Sequence, residues 1–327
     1  MGRVVLVTGV ARDLGARFAR DLAERPDVDK VVGLDVFPPH GDLGGVKFVR
    51  ADIRTPVVGK VLAVEDVDTV VHMNLGANQR GNGGRGSVKE TNVIGTMQLL
   101  AACQSAPAVR KFVLQSSTAV YGTSPRDPAM FTESMPHRAG VSSGFPKDSV
   151  EVEGYLRGFG RRRPDVLVTT LRLGNVLSPH VVSPFGAYFE LPALPAVLGY
   201  DPRLQLLHEY DALGVLRMAA IEDKPGIFNV AGEHVVTLSQ AARRLGRPLV
   251  RLPSFGFAPL TSRLVRTMGS SFTPELTRML MYGRVVDTTA LRDVFGYEMQ
   301  YTTPQTLDDF AARTTPGLLS VVGGFNG

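Results

Sequence analysis

The sequence predicts an α/β fold, a doubly wound parallel sheet with a smaller C-terminal lobe. Three observations carry this. Short apolar runs recur without the polar alternation of a one-sided sheet: 4–7 (VVLV), 30–34 (KVVGL), 69–73 (TVVHM), 111–116 (KFVLQS) and 166–171 (VLVTTL). Strands buried on both faces of a parallel sheet read in this way. Helical patterns separate these runs, which is the alternation that builds a doubly wound sheet. Beyond 175 the pattern breaks, with prolines crowded between Pro179 and Pro202.

The stretch 3–15, RVVLVTGVARDLG, organises the rest. Thr8 and Gly9 close the first strand with a turn, and Gly15 lies in the first turn of a helix. Leu14, Phe18 and Leu22 recur at four-residue spacing, with Ala19 and Ala23 beside them. A strand, a glycine turn and a helix make a phosphate-binding arrangement. The first N–H groups of a helix have no intrahelical partner, and its dipole places partial positive charge there. Pro26 stops the helix, and the second strand ends in Asp35, twenty residues past Gly15. An acidic side chain there accepts hydrogen bonds from an adenosine ribose and repels a 2′-phosphate, which favours NAD over NADP.

The third strand is 46–50 (VKFVR), followed by Asp52 and Ile53; the polar segment 65–68 leads to the fourth. Residues 76–87, GANQRGNGGRGS, read as a glycine-rich loop, and 92–103 as a helix with Val93, Met97 and Leu100 on one face. The fifth strand opens into 117–122 (STAVYG). A polar, proline-rich loop runs from 123 to 145, and a helix extends from about Pro146, a residue suited to a first turn, to Gly158. The expected division is a dinucleotide-binding domain at 1–174 and a mainly substrate-binding lobe at 175–327, with about 204–231 returning to the sheet.

Composition excludes little but is consistent. The 327 residues are 44% hydrophobic and 20% charged, with a net charge of +5. No apolar run approaches the roughly 20 residues of a bilayer span, and the strand at the N-terminus leaves no room for a signal peptide. The single cysteine, Cys103, lies on an apolar helical pattern and reads as a core residue. A cytoplasmic location without membrane association is the expectation. Between His234 and Pro274 there is no Asp or Glu, while Arg243, Arg244, Arg247, Arg251, Arg263 and Arg266 fall there; Arg161, Arg162 and Arg163 form a second cluster. Such arginines are either solvated faces or a hold on an anionic ligand such as a diphosphate. No nucleic-acid motif or aromatic interleaving accompanies them, so no nucleic-acid partner is expected.

The landmarks in order are VTGVARDLG (7–15), LDV (34–36), ADI (51–53), VVH (70–72), NVIGT (92–96), SSTAVYG (116–122), PKDSVEVEGY (146–155), LRLGNV (171–176), HEYDA (208–212) and FNVAGE (228–233). With them, the chain resembles the extended short-chain dehydrogenase/reductase superfamily, in its NAD-dependent epimerase/dehydratase group, and within it UDP-glucose 4-epimerase-like members. The resemblance covers roughly residues 3–310. It implies a Rossmann-type domain binding NAD, with Thr8, Gly9, Leu14 and Gly15 in the phosphate loop, Asp35 on the adenosine ribose, and Asp52 and Ile53 flanking the adenine. It places Ser117 at a catalytic Ser/Thr position and Lys147 at the Lys of the YxxxK motif, where it also holds the nicotinamide ribose. A nucleotide sugar is the substrate it implies, held in the C-terminal lobe, where the Arg-rich 243–266 fits a diphosphate. It also implies a homodimer pairing helices near 92–105 and 146–160. No metal is implied.

Two departures stand out. The middle glycine of the family's loop is Arg12 here, whose side chain either swings out to solvent or lies against the pyrophosphate as a counter-charge. Four residues before Lys147 stands Ser143 rather than tyrosine, and no tyrosine occurs between Tyr121 and Tyr155. In the family that phenol is the acid/base. A phenol near pKa 10 is brought toward working pH by a neighbouring Lys⁺, whereas an aliphatic hydroxyl is a far weaker acid. Tyr155, eight residues past Lys147, lies about 12 Å along the helix at ~1.5 Å per residue. Tyr121 reads as a packing residue, His137 as a solvated loop histidine with a suitable intrinsic pKa, His72 as structural. Lys147 itself has an alternative, an i,i+4 pair with Glu151. Two functions therefore stand: an epimerase, dehydratase or reductase with an altered site, and an NAD-binding regulatory or scaffold protein that has lost turnover.

Overall fold

The computed structural model describes residues 2–77, 85–136, 144–253 and 274–315. Ser143, His137, Arg263, Arg266 and most of the glycine-rich stretch fall outside the described residues. The chain opens with β1 (Arg3–Thr8), α1 (Asp13–Ala23), β2 (Val28–Asp35), β3 (Lys47–Arg50), α2 (Val57–Val64) and β4 (Thr69–His72). A helical stretch follows as α3 (Arg85–Lys89), a wider i→i+5 turn at Glu90–Gly95, and α4 (Thr96–Gln104). Then come β5 (Lys111–Ser117), a 3₁₀ turn at Thr118–Tyr121, α5 (Gly144–Arg162) and β6 (Leu167–Leu173). The remainder is β7 (Asn175–Leu177), α6 (Pro184–Phe189), β8 (Leu194–Val197), β9 (Arg203–Leu204), β10 (Leu206–His208), α7 (Glu209–Ile221), β11 (Gly226–Val230), β12 (Val236–Thr237), α8 (Leu238–Arg244) and β13 (Leu249–Leu252). Helix Pro274–Tyr282, a wide i→i+5 turn at Leu291–Phe295 and helix Thr303–Arg313 complete the described elements.

Among the described residues, seven strands form one sheet in the order β11-β6-β5-β4-β1-β2-β3. Neighbours from β6 to β3 are parallel, with β1 paired to β2 on one side and to β4 on the other. The chain therefore winds outward through β2 and β3, returns to the centre, and winds the other way through β4, β5 and β6. The apolar runs make this possible because both faces are covered. Leu6, Val32, Val70 and Phe112 from four strands pack with Leu99 and Val152 from the helices. Each such burial contributes about 1.5–3 kcal/mol.

The chain divides into two compact units, Met1–Gly122 with Pro136–Leu173 and Leu213–Phe228, and Thr123–Met135 with Gly174–Ala212 and Asn229–Gly327. The second has its own core, with Phe185, Tyr188, Phe189, Leu238, Leu280 and Phe310 buried together. Its helices α8 and Thr303–Arg313 both start with a capping box, Thr237 with Gln240 and Thr302 with Gln305. Cys103 is fully buried in the first unit, and burial pushes its thiol up to about 12.

Some expectations are corrected. Residues 85–87, read as loop, already belong to α3, so the helix expected at 92–103 begins a further two turns earlier. Residues 57–64 form α2, for which no element was expected: VVGKVLAV is apolar along most of its length, so the helical spacing of its buried Val58, Val61 and Leu62 does not stand out in the sequence.

Candidate dinucleotide site

The turn after β1 is built on glycine for steric reasons. Gly9 has φ +82°, and a Cβ there would come within 2.8 Å of the Met73 backbone. A Cβ on Gly15 would overlap the Gly9 carbonyl oxygen. Both substitutions would push α1 away from the strand exits. Gly9 N–H donates to the Leu34 carbonyl at 3.1 Å, and Arg12 N–H to the Gly9 carbonyl at 3.1 Å. Leu14 is the second residue of α1, and its side chain is buried.

Arg12 occupies the N-cap of α1 in extended backbone geometry. Its guanidinium crosses to the exit of β4, with Nη2 3.4 Å from the Asn74 carbonyl and the fork in the space a Gly76 Cβ would need.

Asp35 is buried at the end of β2. Its Oδ2 accepts from Ala11 N–H at 3.0 Å and its Oδ1 from Phe37 N–H at 3.3 Å, so the carboxylate ties the strand end to the glycine turn. Asp52 binds Arg54, Oδ2 to Nη2 at 2.6 Å. That hydrogen bond, against partial burial, holds the Asp52 carboxyl below the usual carboxylate range. Ile53 is buried and fills the space beside Gly95 that a Cβ there would contest.

His72 is fully buried at the end of β4. Thr8 Oγ1 lies 2.7 Å from Nδ1 and Thr96 Oγ1 2.8 Å from Nε2. Thr8 Oγ1 accepts from Met73 N–H, and Thr96 Oγ1 donates to the Asn92 carbonyl. Those bonds assign the roles: Thr8 donates to Nδ1, and Nε2–H donates to Thr96. Burial, with the nearby Arg12 charge, lowers the imidazole to about 3. It is neutral and structural. Asn92 clamps Gly76 through both amide ends, accepting Gly76 N–H at 3.2 Å and donating to its carbonyl at 2.9 Å, and also donates to buried Asp148 at 3.0 Å.

Ser117 ends β5 and caps the 3₁₀ turn, its Oγ accepting from Ala119 N–H at 3.2 Å. Lys147 lies in the first turn of α5, 44% exposed, with Nζ 3.8 Å from Glu151 Oε1. The i,i+4 pair anticipated for Lys147 is present. Below the Ser117 turn lies a buried polar network. Arg172 makes a two-pronged pair with Glu153, Nε to Oε1 at 3.0 Å and Nη2 to Oε2 at 2.7 Å. Its Nη1 donates to the Tyr121 hydroxyl at 2.8 Å, and Ser116 donates to Glu153 Oε1 at 2.7 Å. Burial opposes the Arg172 charge, but Glu153 outweighs it and holds the guanidinium above its ordinary pKa. Tyr121 is thus committed within the core.

A model of the NAD dependent epimerase/dehydratase family matches residues 5–193. The chain belongs to this family. A protein of Mycobacterium tuberculosis (strain H37Rv), itself uncharacterised, is 46% identical over 312 residues, covering 94% of this chain and 83% of its own length. The trifunctional UDP-glucose 4,6-dehydratase/UDP-4-keto-6-deoxy-D-glucose 3,5-epimerase/UDP-4-keto-L-rhamnose-reductase of Arabidopsis thaliana is 28% identical over 190 residues, 54% of this chain and 28% of that protein. Among solved structures, the UDP-glucuronic acid 4-epimerase of Bacillus cereus in complex with NAD is similar at a TM-score of 0.70 and 17% identity, over 95% of this chain and 99% of that one. The UDP-glucose 4-epimerase of Thermotoga maritima with UDP-glucose gives 0.71 and 18%, over 94% and 97%. At such identities the likeness is one of fold.

Within this NAD-dependent epimerase/dehydratase chain, three described arginines of the basic stretch bond to the protein itself. Arg244 pairs with Asp308 at 2.8 Å, Arg247 donates to the Thr315 carbonyl at 2.6 Å, and Arg251 to Ser239 at 3.2 Å. Arg163 bonds Asp165 and the carbonyls of Cys103 and Gln104 at the end of α4 and of Ala106 just past it. The sequence reading missed Asn92, Asp148 and the Glu153–Arg172 pair as functional supports. A signal existed: Asp148 and Glu153 share the helical face of Val152 and Leu156, where a surface carboxylate has no place.

Proposed function

We propose that this chain binds NAD across the exits of β1 and β4 and acts on a nucleotide sugar or a similar polar substrate, as an epimerase/dehydratase-type enzyme with an altered active site. The observation that carries the reading is the glycine turn at the place where the strand order reverses, with the buried Asp35 carboxylate tied to Ala11 N–H beside it. Ligands of open α/β sheets bind at such reversals. The residues fit the group: Gly9 and Gly15 leave the turn tight, α1 presents its positive end, and Asp35 supplies the ribose acceptor. NAD, when bound, supplies the hydride acceptor and donor. Thr8 secures the turn through His72, and Asp52 and Ile53 border the adenine end. Ser117 orients a substrate hydroxyl or keto oxygen. Lys147 releases Glu151 to hold the nicotinamide ribose and to lower the pKa of a neighbouring acid. The chain forms a homodimer through α4 and α5.

The proton is the open step for this chain. Ser143 is too weak an acid to carry it, Tyr121 is bonded to Arg172, and Tyr155 stands two turns beyond Lys147 on α5. A Lys147-bound water, His137 or a substrate group then takes the role. The same facts favour a second reading, an NAD-binding regulatory or scaffold protein without turnover. Calorimetric titration with NAD, followed by a panel of UDP- and dTDP-sugars, separates them. Under the first reading wild type binds NAD and converts a sugar, and Ser143→Tyr turns over at least tenfold faster. NAD binding with no turnover in either protein supports the second reading. Absence of NAD binding removes both.

A further inference from the structure

We infer that Glu153 and Arg172 are positioning residues that together hold the turn presenting Ser117, a role that rests on the place given to Ser117 above. β5 runs parallel to β4, and β4 to β1, so Ser117 stands on the same rim of the sheet as the crevice at their exits. The strand ends at Ser117, and the 3₁₀ turn after it ends at Tyr121. The buried pair grips this segment on both sides. Before it, Ser116 Oγ donates to Glu153 Oε1 at 2.7 Å. At its end, Arg172 Nη1 donates to the Tyr121 hydroxyl at 2.8 Å, with the guanidinium carbon 5.1 Å from the centre of the Tyr121 ring. The two grips act as one, because Arg172 and Glu153 bond each other at 3.0 and 2.7 Å.

Ser117 lies between these anchors. Successive side chains of a strand point to opposite faces, so Ser116 facing Glu153 turns Ser117 away from the pair. Ser116 is accordingly buried and Ser117 partly exposed. Ser117 Oγ accepts from Ala119 N–H and so sets the first bend of the turn. A shift at either anchor therefore moves the Ser117 hydroxyl. Stability alone does not account for the pair. An ion pair closed to water repays its desolvation poorly, and apolar residues of similar volume often serve the fold as well or better. What apolar residues lack is direction. The planar fork of arginine fixes the plane of the carboxylate, and that leaves one place for each hydroxyl to bond.

The test follows amide hydrogen exchange in 117–122 against 111–115 of β5, with denaturant titration to confirm folding. It compares wild type, the double variant Glu153→Leu with Arg172→Met, and the single variants Ser116→Ala and Tyr121→Phe. Local opening raises exchange in the turn alone, whereas a loss of stability in the whole unit raises it in both segments. In the double variant, exchange in the turn should rise at least tenfold relative to β5. Each single variant releases one anchor with the pair left in place, and should raise it at least threefold. These two keep the test decisive if the double variant does not fold. Exchange that rises equally in both segments, or stays as in wild type, overturns the inference, since the pair would then serve stability only. Ser117→Ala checks the underlying reading separately. If that variant and wild type convert the UDP- and dTDP-sugars at the same rate, Ser117 leaves the proposed site, while the exchange result still decides whether the pair holds the turn.

Discussion

His72 holds one hydroxyl on each ring nitrogen, and its burial sets a pH dependence for the fold. In the unfolded chain an imidazole titrates near 6.5; in the folded protein it is held at about 3. Between these values the unfolded state binds the proton and the native state does not. Stability from this group is therefore full above about pH 6.5 and is lost as pH falls toward 3, by at most about 1.4 kcal/mol per pH unit. Urea unfolding at pH 7.5 and pH 5.0 should show the loss, and His72→Phe should reduce the difference between the two pH values. At pH 7.5 the same variant should cost about 1–3 kcal/mol, because the Thr8 and Thr96 hydroxyls lose their partner. An acid loss equal in the two proteins would show that another group carries it. At this scale the sequence was legible where a residue type has one use. Gly9, Asp35 and the structural character of His72 could be read. The path of Arg12 could not, since a long side chain at a loop has many rotamers and only the β4 exit beside it selects one.

The Glu153–Arg172 pair joins α5, β6 and the turn after β5 in a space closed to water. An ion pair of this kind contributes little net stability, but removing one partner strands the other. Arg172→Met should therefore cost about 3–5 kcal/mol, and Glu153→Gln a comparable amount. The double variant Glu153→Leu with Arg172→Met should cost less than the two single losses added. Denaturant titrations of the three proteins give the coupling; simple additivity would mean the pair is not isolated from water. Elements with a single strong signal were readable in the sequence: the apolar strands, and α1 with its four-residue spacing. Several helices were not, and two of them show why. α2 reads VVGKVLAV, a run equally good for a strand. α7 is buried on most sides as EYDALGVLRMAAI, so it has no polar face to mark the period. The Glu153–Arg172 pair was illegible for a related reason. Its members lie 19 residues apart and meet only because α5 folds back over β6.

At the scale of the whole molecule, the proposed homodimer would cover apolar side chains now facing water on the helical stretch before β5 and on α5. Ile94 and Tyr155 are each 41% exposed. Light scattering should return twice the 35.2 kDa chain mass, and Ile94→Glu combined with Tyr155→Glu should return the single chain. A wild-type protein of single-chain mass would remove the proposal. The parallel sheet has one more consequence, of a practical kind. Every strand from β3 to β6 runs the same way, so the crevice and the start of β1 lie on opposite rims of the sheet. At about 3.3 Å per residue, Arg3 stands roughly 16 Å from Thr8 along the strand. A tag or surface anchor fused ahead of Arg3 therefore leaves from the rim away from the ligand. Immobilisation through that end should leave NAD on- and off-rates as they are in free solution.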